Sequence, residues 1–121
     1  MKTILAVDDS ASIRQMVNIT LSAAGYAVVE AGNGAEGLSK LASAGPVSMV
    51  VTDLNMPVMD GLTFIRELRK LPAGKGIPVL FLTTESDAGI KQQAKEAGAT
   101  GWITKPFQRE QLVAVVKKVL G

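Results

Sequence analysis

Acidic, hydroxyl and lysine side chains stand at the ends of several apolar runs in this sequence. The run "MVV" at 49–51 leads through Thr52 into Asp53. The residues in such positions are Asp8, Asp9, Asp53, Asn55, Thr83, Thr84, Thr104 and Lys105. Carboxylates and a main-chain carbonyl are ligands that suit Mg²⁺, and a carboxylate can also be a nucleophile that becomes an aspartyl-phosphate. If the fold gathers these side chains, their types predict phosphoryl transfer to Asp53, with Lys105 and the Thr83 hydroxyl stabilising the phosphoryl oxygens.

The composition narrows the chemistry that remains. The chain has no His and no Cys, so the commonest general base, the commonest metal ligand and a disulfide framework are excluded. Any reaction must use carboxylates, hydroxyls or lysine. The lack of Cys also favours a cytoplasmic protein. Lys and Arg are scattered and the net charge is +2, which gives no basis for nucleic-acid binding.

The length of 121 residues predicts one domain, residues 1–121. A chain of this size buries about 65% of its unfolded surface, which is enough for a hydrophobic core. Its N-terminal stretch "MKTILAVDDS" is interrupted by aspartates too early for a signal peptide or a membrane span. We therefore expect a globular domain with no membrane association.

Apolar runs alternate with segments of helical periodicity along the whole chain. The runs are continuous rather than alternating, as expected for parallel strands covered on both faces. Strands are predicted at 3–7, 27–30, 48–52, 78–82 and 101–104. These runs and the segments between them make five strand–helix units.

The helical segments show where they begin, end and face the core. Gly25 and "GP" at 45–46 are predicted to end the first two helices. Asn33 and Glu36 are predicted to cap the second. The predicted inner faces are Ile13, Val17, Leu21 and Ala24; Leu38 and Leu41; Phe64, Ile65, Leu68 and Leu71; and Leu112, Val115, Val116 and Val119.

The fourth helical segment, 86–97, has the weakest inner face, formed by Ile90, Ala94 and Ala97. Gly89 within it costs about 1 kcal/mol relative to Ala. Poor anchoring predicts a mobile helix.

Five strand–helix units predict an α/β fold, a flavodoxin-like doubly wound parallel sheet of five strands with five helices. If the strand order is 2-1-3-4-5, the first and third strands are neighbours at the point where the order reverses, which is where such folds bind ligands. Asp8, Asp9 and Asp53 would then converge there, with Thr83 and Lys105 on the same edge. Clustered carboxylates resist ionisation, and a divalent cation would relieve their repulsion.

Four motifs resemble those of response-regulator receiver domains in order and spacing over the full length of the chain. They are "VDDS" (7–10), "TDLNMPVMDG" (52–61), "LTTES" (82–86) and "GWITKPF" (101–107). The resemblance implies that Asp53 is the phosphoacceptor and that Asp8, Asp9, Asp53 and the main-chain carbonyl of Asn55 bind Mg²⁺. It also implies a catalytic cation at Lys105 and a cis peptide bond between Lys105 and Pro106.

The same resemblance implies a switch and a tuning of phosphate lifetime. Thr83 would move to the phosphoryl group, and Trp102, at a position where the family usually has Tyr or Phe, would then reshape the surface of the fourth helix, fifth strand and fifth helix. Asn55, Thr84 and Glu85 occupy positions that influence how water reaches the acyl phosphate. Because Thr84 is small, we predict a labile phosphate.

The resemblance further implies partners. The family receives its phosphoryl group from a phosphohistidine, so we expect a sensor histidine kinase of the CheA type. "TTESD…AGATGWITKPF" is similar to stand-alone, chemotaxis-type CheY-like receivers in particular. Such a monomeric protein would bind a target such as a flagellar motor switch protein, and a phosphatase would be a further partner. It would be a phosphoacceptor rather than an enzyme with a separate substrate.

Several alternatives stay open from the residues. The protein could be a phosphate sink that drains a shared kinase, or a receiver that only binds partners. A haloacid-dehalogenase-type phosphohydrolase also uses an aspartyl nucleophile, but it places that nucleophile on the first strand and needs a cap domain. "GNGAEG" at 32–37 matches a dinucleotide-binding pattern, although in the second unit rather than the first.

Overall fold

The computed structural model describes residues 2–43, 45–84 and 88–120. Within these ranges strands and helices alternate along the chain. The strands are β1 (Thr3–Val7), β2 (Ala27–Ala31), β3 (Met49–Thr52), β4 (Val79–Thr83) and β5 (Gly101–Thr104). The helices are α1 (Ala11–Ala23), α2 (Gly34–Ser43), α3 (Gly61–Lys70), α4 (Ala88–Glu96) and α5 (Arg109–Leu120), with a short 3₁₀ turn at Pro72–Gly74.

The five strands form one parallel sheet in the order β2-β1-β3-β4-β5. This confirms the predicted doubly wound fold and its strand order. The register pairs Val7 with Thr52 across β1 and β3, and Thr83 with Thr104 across β4 and β5. The residues that follow these pairs therefore leave the sheet side by side at one edge.

Helices cover both faces of the sheet and bury separate halves of the core. On one face α2, α3 and α4 contribute Leu41, Phe64, Ile65, Leu68 and Ala94. On the other face α1 and α5 contribute Val17, Leu21, Leu112 and Val116. The predicted inner faces are confirmed at these positions, and Ile13, Leu38, Leu71, Val115 and Val119 pack against the same clusters while partly exposed.

A glycine with a positive φ angle and side-chain caps mark the ends of the helices, as predicted. Gly25 has a φ of 100° directly after α1, a conformation that glycine adopts without steric cost. Before α2, the Asn33 side chain accepts a hydrogen bond of 2.8 Å from the Glu36 N–H. Ser10 and Asp60 cap α1 and α3 in the same way.

One expectation about the strands is wrong in part. All five were expected to be covered on both faces, but β2 is half-buried over most of its length and β5 is mostly half-buried or exposed. The physical reason is position, because β2 and β5 are the two edges of the sheet. Continuous apolar runs do not distinguish edge strands from central ones.

Helix α4 is the most weakly anchored of the five. Among the residues of Ala88–Glu96, Ala94 alone is buried, and Ile90 is half-buried against the core. By contrast, α3 buries Phe64, Ile65 and Leu68. The weak inner face predicted for this segment is therefore present.

No helix in the described parts of the chain is long and apolar enough to cross a lipid bilayer.

Candidate functional site

Three carboxylates meet at the edge of the sheet where the strand order reverses. Asp8 follows β1 and Asp53 follows β3, and the Asp53 N–H donates to the Val7 carbonyl at 2.9 Å. One carboxylate oxygen from each of Asp8, Asp9 and Asp53 lies within 4.8 Å of the others. Asp8 is 4% exposed, whereas Asp9 is exposed and Asp53 is half-buried. Hard oxygen donors this close together fit a small divalent cation such as Mg²⁺.

Lys105 follows the edge strand β5 and brings a positive charge to this cluster. Its Nζ atom lies 3.0 Å from Asp8 Oδ2 and 3.6 Å from Asp53 Oδ2. The Lys105 N–H donates to the Thr83 carbonyl at 2.7 Å, which continues the pairing of β4 with β5. The Lys105–Pro106 peptide bond is cis, as expected. A single ammonium group thus contacts both of the more buried carboxylates.

The main chain holds the other oxygen of each of these two carboxylates. Asp8 Oδ1 accepts a hydrogen bond of 2.8 Å from the Ser10 N–H. Asp53 Oδ1 accepts one of 2.8 Å from the Leu54 N–H. Each carboxylate therefore has one oxygen fixed by backbone and one directed towards Lys105.

The environment of Asp53 raises its pKa above the ordinary value of 3.8. The largest cause is burial, which disfavours the charged form. Lys105 opposes this, the negative charge of Asp8 adds to it, and the N–H groups of Leu54 and Asn55 oppose it. From the sequence we expected repulsion among the carboxylates to be the main cause of a raised pKa, but burial contributes more to it.

The other predicted residues that the structure describes lie at or just after the ends of β3 and β4. Thr83 ends β4 and is fully buried, while Thr84 is exposed. Asn55 is exposed two residues after Asp53, and its N–H contributes to holding the Asp53 carboxylate. Glu85 lies outside the described residues. The roles assigned to these residues stay predictions.

Trp102 lies on β5 with its ring packed against the core. Its ring centroid is 5.8 Å from that of Phe81, at a tilt of 49°, and the Nζ atom of Lys91 on α4 lies 5.7 Å from it. The buried indole Nε1 atom has no hydrogen-bond partner among the residues that the structure describes. A pocket of about 200 Å³ lies beside the ring between α4 and β5. The ring has space next to it in which to change position.

Gly61 holds the loop after Asp53 close to the sheet. A Cβ atom at this position would lie 2.5 Å from the Asp53 carbonyl oxygen and 2.7 Å from the Phe81 ring. The Gly61 N–H donates to the Leu54 carbonyl at 2.7 Å. The glycine of the "MDG" motif is therefore required by close packing directly behind Asp53.

Close packing also accounts for two glycines of "GNGAEG". A Cβ atom on Gly34 would lie 3.0 Å from the Met59 side chain, and one on Gly37 would lie 3.0 Å from Phe64. Helix α2 approaches α3 and the neighbouring loop closely at these points. Packing between these elements therefore accounts for Gly34 and Gly37 without a bound nucleotide.

Sequence reasoning missed Arg14, whose side chain reaches the back of the carboxylate cluster. Its Nη1 atom donates to the Asp8 carbonyl at 2.6 Å, and its Nε atom donates to Glu30 Oε1 at 3.2 Å. A signal was present, because a cation near the N-terminal end of a helix opposes the helix dipole. Such a placement needs a specific acceptor to offset it.

A comparison with models of protein families identifies the family to which this fold belongs. The family model described as the response regulator receiver domain matches residues 4–117 of the chain. The chain therefore belongs to the response regulator receiver domain family. This membership groups it with receivers rather than with haloacid-dehalogenase-type phosphohydrolases.

Its relatives include chemotaxis proteins. The chain is 37% identical over 119 residues to the chemotaxis protein CheY1 of Helicobacter pylori, covering 98% of this chain and 96% of that protein. The structure of the chemotaxis response regulator CheY4 of Vibrio cholerae is 47% identical, with a TM-score of 0.94 and 99% coverage of both chains. The receiver domain of a Pseudomonas aeruginosa sensor histidine kinase, solved with magnesium in its active-site cleft, is 25% identical, with a TM-score of 0.90, covering 99% of this chain and 98% of that one.

Other relatives are much longer. The chain spans 14% of the Helicobacter pylori sensor histidine kinase CheAY and about half of several transcriptional regulators. The receiver family thus occurs both as a protein of this size and as one part of larger proteins.

Proposed function

We propose that residues 1–121 form one receiver domain that carries a signal as a phosphoryl group on Asp53. The observation that supports this best is the cluster of Asp8, Asp9 and Asp53 within 4.8 Å, with the Lys105 ammonium 3.0 Å and 3.6 Å from two of them. This combination offers a nucleophile, metal ligands and a fixed positive charge at one point. The protein acts as a phosphoacceptor rather than as an enzyme with a separate substrate.

The nucleophile in the proposed transfer is Asp53. An oxygen of its ionised carboxylate attacks the phosphorus of a phosphohistidine on a partner kinase. The O–P bond forms as the N–P bond breaks, and the electron pair of the N–P bond returns to the imidazole nitrogen. The Lys105 ammonium, which is 14% exposed, stabilises negative charge on the phosphoryl oxygens, and the Thr83 hydroxyl donates to one of them.

The proposed metal ligands are the carboxylates of Asp8, Asp9 and Asp53 and the main-chain carbonyl of Asn55. Bound Mg²⁺ would neutralise part of the charge that the phosphoryl group brings. The residues themselves hold the geometry, since the backbone N–H groups of Ser10 and Leu54 fix one oxygen each of Asp8 and Asp53.

The proposed output is a change in the face formed by α4, β5 and α5. A phosphoryl group adds about −1.5 to −2 charges next to Thr83. Movement of Thr83 towards that charge alters the packing of Trp102, which lies on the neighbouring strand beside the weakly anchored α4. Similarity to chemotaxis proteins supports a CheA-like sensor histidine kinase as donor and a chemotaxis target, such as a flagellar motor switch protein, as the partner of this face.

Phosphotransfer from an autophosphorylated CheA-type kinase tests the proposal. Wild type should take up phosphate in the presence of Mg²⁺, and it should remain unlabelled when EDTA is added before the transfer. Asp53→Asn should remain unlabelled because the amide nitrogen and oxygen cannot replace the carboxylate nucleophile.

Asp60→Asn is the matched control. Asp60 is an exposed aspartate that caps α3 through its side chain, and asparagine caps helices equally well. This variant removes the same charge from the same loop and should accept phosphate at the wild-type rate. Labelling of Asp53→Asn to the wild-type level would place the acceptor elsewhere and end the proposal.

A further inference from the structure

The Arg14 guanidinium links three parts of the chain behind the carboxylate cluster. It belongs to α1 and its side chain is 22% exposed. One nitrogen, Nη1, donates to the Asp8 carbonyl at 2.6 Å. Another, Nε, forms an ion pair of 3.2 Å with Glu30 at the end of β2. The group is therefore held at both ends, by the loop that carries Asp8 and by the neighbouring strand.

Glu30 is itself fixed in place. Its second oxygen, Oε2, accepts a hydrogen bond of 2.7 Å from the Asn18 side chain. Asn18 in turn accepts one of 2.8 Å from the Ser22 hydroxyl, one helical turn further along α1. Because both oxygens of Glu30 accept hydrogen bonds, its carboxylate is fixed in position. It therefore orients the Arg14 side chain as well as neutralising its charge.

These contacts fix the main chain around Asp8. The Asp8 N–H donates to the Ala31 carbonyl at 3.1 Å, and the Asp8 carbonyl accepts from Arg14. That carbonyl belongs to the peptide unit joining Asp8 to Asp9, so Arg14 sets the orientation from which the Asp9 side chain departs. Arg14, Asp8 and Asp53 line the same small cavity of about 10 Å³.

We propose that Arg14, held by Glu30, is a positioning residue for the metal site and sets the relative placement of the Asp8 and Asp9 carboxylates. The inference rests on the proposed function, in which these carboxylates bind Mg²⁺. Arg14 contacts the ligands' main chain rather than the ion. Outer contacts of this kind commonly change metal affinity by about 10- to 100-fold when they are removed.

If Arg14 is removed, a positioning role and simple electrostatics predict opposite changes in the affinity for Mg²⁺. Arg14 is a cation beside an anionic metal site, so by Coulomb attraction alone its removal would strengthen Mg²⁺ binding. If Arg14 instead aligns the carboxylates, its removal weakens binding in spite of the lost repulsion. The direction of the change therefore identifies the role.

Mg²⁺ titrations followed by amide chemical shifts in two-dimensional NMR measure the dissociation constant, and the same spectra verify that each variant is folded. We expect Arg14→Met to raise the dissociation constant about tenfold. Arg14→Lys keeps the charge but has a single nitrogen, which cannot reach both Glu30 and the Asp8 carbonyl. It should weaken binding to a similar extent.

Arg66→Met is the matched control. Arg66 is an exposed arginine on α3, so this change removes the same charge without touching the Asp8 loop. It should leave the dissociation constant within about twofold of wild type, because exposed charges are screened by solvent.

A double variant tests whether Glu30 acts through Arg14. Arg14→Met with Glu30→Gln should bind Mg²⁺ as weakly as Arg14→Met alone, since Glu30 has nothing left to hold. By electrostatics alone the two charge changes would cancel and return the affinity to that of wild type.

The outcomes separate this inference from the proposed function. Saturable Mg²⁺ binding by wild type together with equal or tighter binding by Arg14→Met would overturn the positioning role and leave the proposed function standing. Unsaturable shifts in wild type would overturn the proposed metal site itself.

Discussion

Asp53 combines two properties that pull its ionisation in opposite directions. Burial and the charge of Asp8 disfavour its negative form, whereas Lys105 and two backbone N–H groups favour it. The net effect is a raised pKa. The negative charge on the half-buried Asp53 therefore destabilises the folded state. In the proposed function, a bound cation would offset this cost by neutralising part of the charge on Asp53.

This balance predicts a pH dependence of stability. A carboxyl group whose pKa is raised in the folded state contributes stability at low pH that is lost as the pH rises from 3.8 through the folded pKa. Without metal, Asp53→Asn should therefore have a higher free energy of unfolding than wild type at pH 7. The difference should shrink as the pH falls towards 3.8. Urea unfolding at several pH values measures it.

Asp60→Asn again serves as the comparison, because Asp60 is exposed and its side chain caps a helix. A gain in stability for Asp53→Asn that is the same at every pH would show that ionisation of Asp53 is not its cause.

At the scale of elements, the anchoring of the helices differs in a way that suits a switch. Helices α1 and α3 each bury several residues against the sheet, while α4 buries Ala94 and lies beside the edge strand β5. Few buried apolar contacts give a low free energy of local opening. We therefore expect the proposed movement of Thr83 to have its largest effect on α4 and Trp102.

Trp102 fluorescence should report this change, because it is the only tryptophan in the chain. Adding Mg²⁺ and the phosphoryl mimic beryllium trifluoride should shift its intensity or emission maximum, since the ring would move relative to Phe81 and Lys91. Thr83→Ala should reduce the shift, and Asp53→Asn should remove it. An unchanged spectrum in wild type, at concentrations where NMR shows that the mimic is bound, would exclude Trp102 from the switch.

At the scale of the whole molecule, the proposed metal binding is coupled to folding, because the carboxylate cluster forms only in the folded chain. Asp8 and Asp53 are 45 residues apart in the chain, and they meet because β1 pairs with β3. The unfolded chain has no such cluster. A ligand that binds only the folded form stabilises it, and the stabilisation grows with the logarithm of the ligand concentration once that concentration exceeds the dissociation constant.

Mg²⁺ should therefore raise the free energy of unfolding by about 1.4 kcal/mol at ten times its dissociation constant. For a domain of this size the midpoint of thermal unfolding should rise by about 5 °C. Thermal denaturation with MgCl₂, followed by addition of EDTA, measures the gain and its reversal. Asp9→Asn should lose most of the gain. An equal gain from NaCl at matched ionic strength would contradict a specific site.

How much could be predicted from the sequence differs from residue to residue. Asp8, Asp53, Thr83 and Lys105 were identifiable because each follows or ends an apolar run, and parallel strands bring such positions to one edge. The partial exposure of β2 could not be predicted, because the apolar content of a strand does not reveal whether the strand lies at an edge of the sheet. The position of Arg14 near the start of a helix signals that it needs an acceptor, but no local pattern predicts that the acceptor is Glu30, 16 residues further along the chain.

Taken alone, the sequence determined which segments become strands and helices, because apolar periodicity, caps and glycines act over a few neighbouring residues. It also determined which side chains end the strands. The tertiary structure decided the distances among them: the pairing of Val7 with Thr52, the reach of Lys105 to Asp8, and the anchoring of Arg14 by Glu30. These depend on hydrogen-bond register and side-chain packing between distant segments, which exist only once the sheet has assembled.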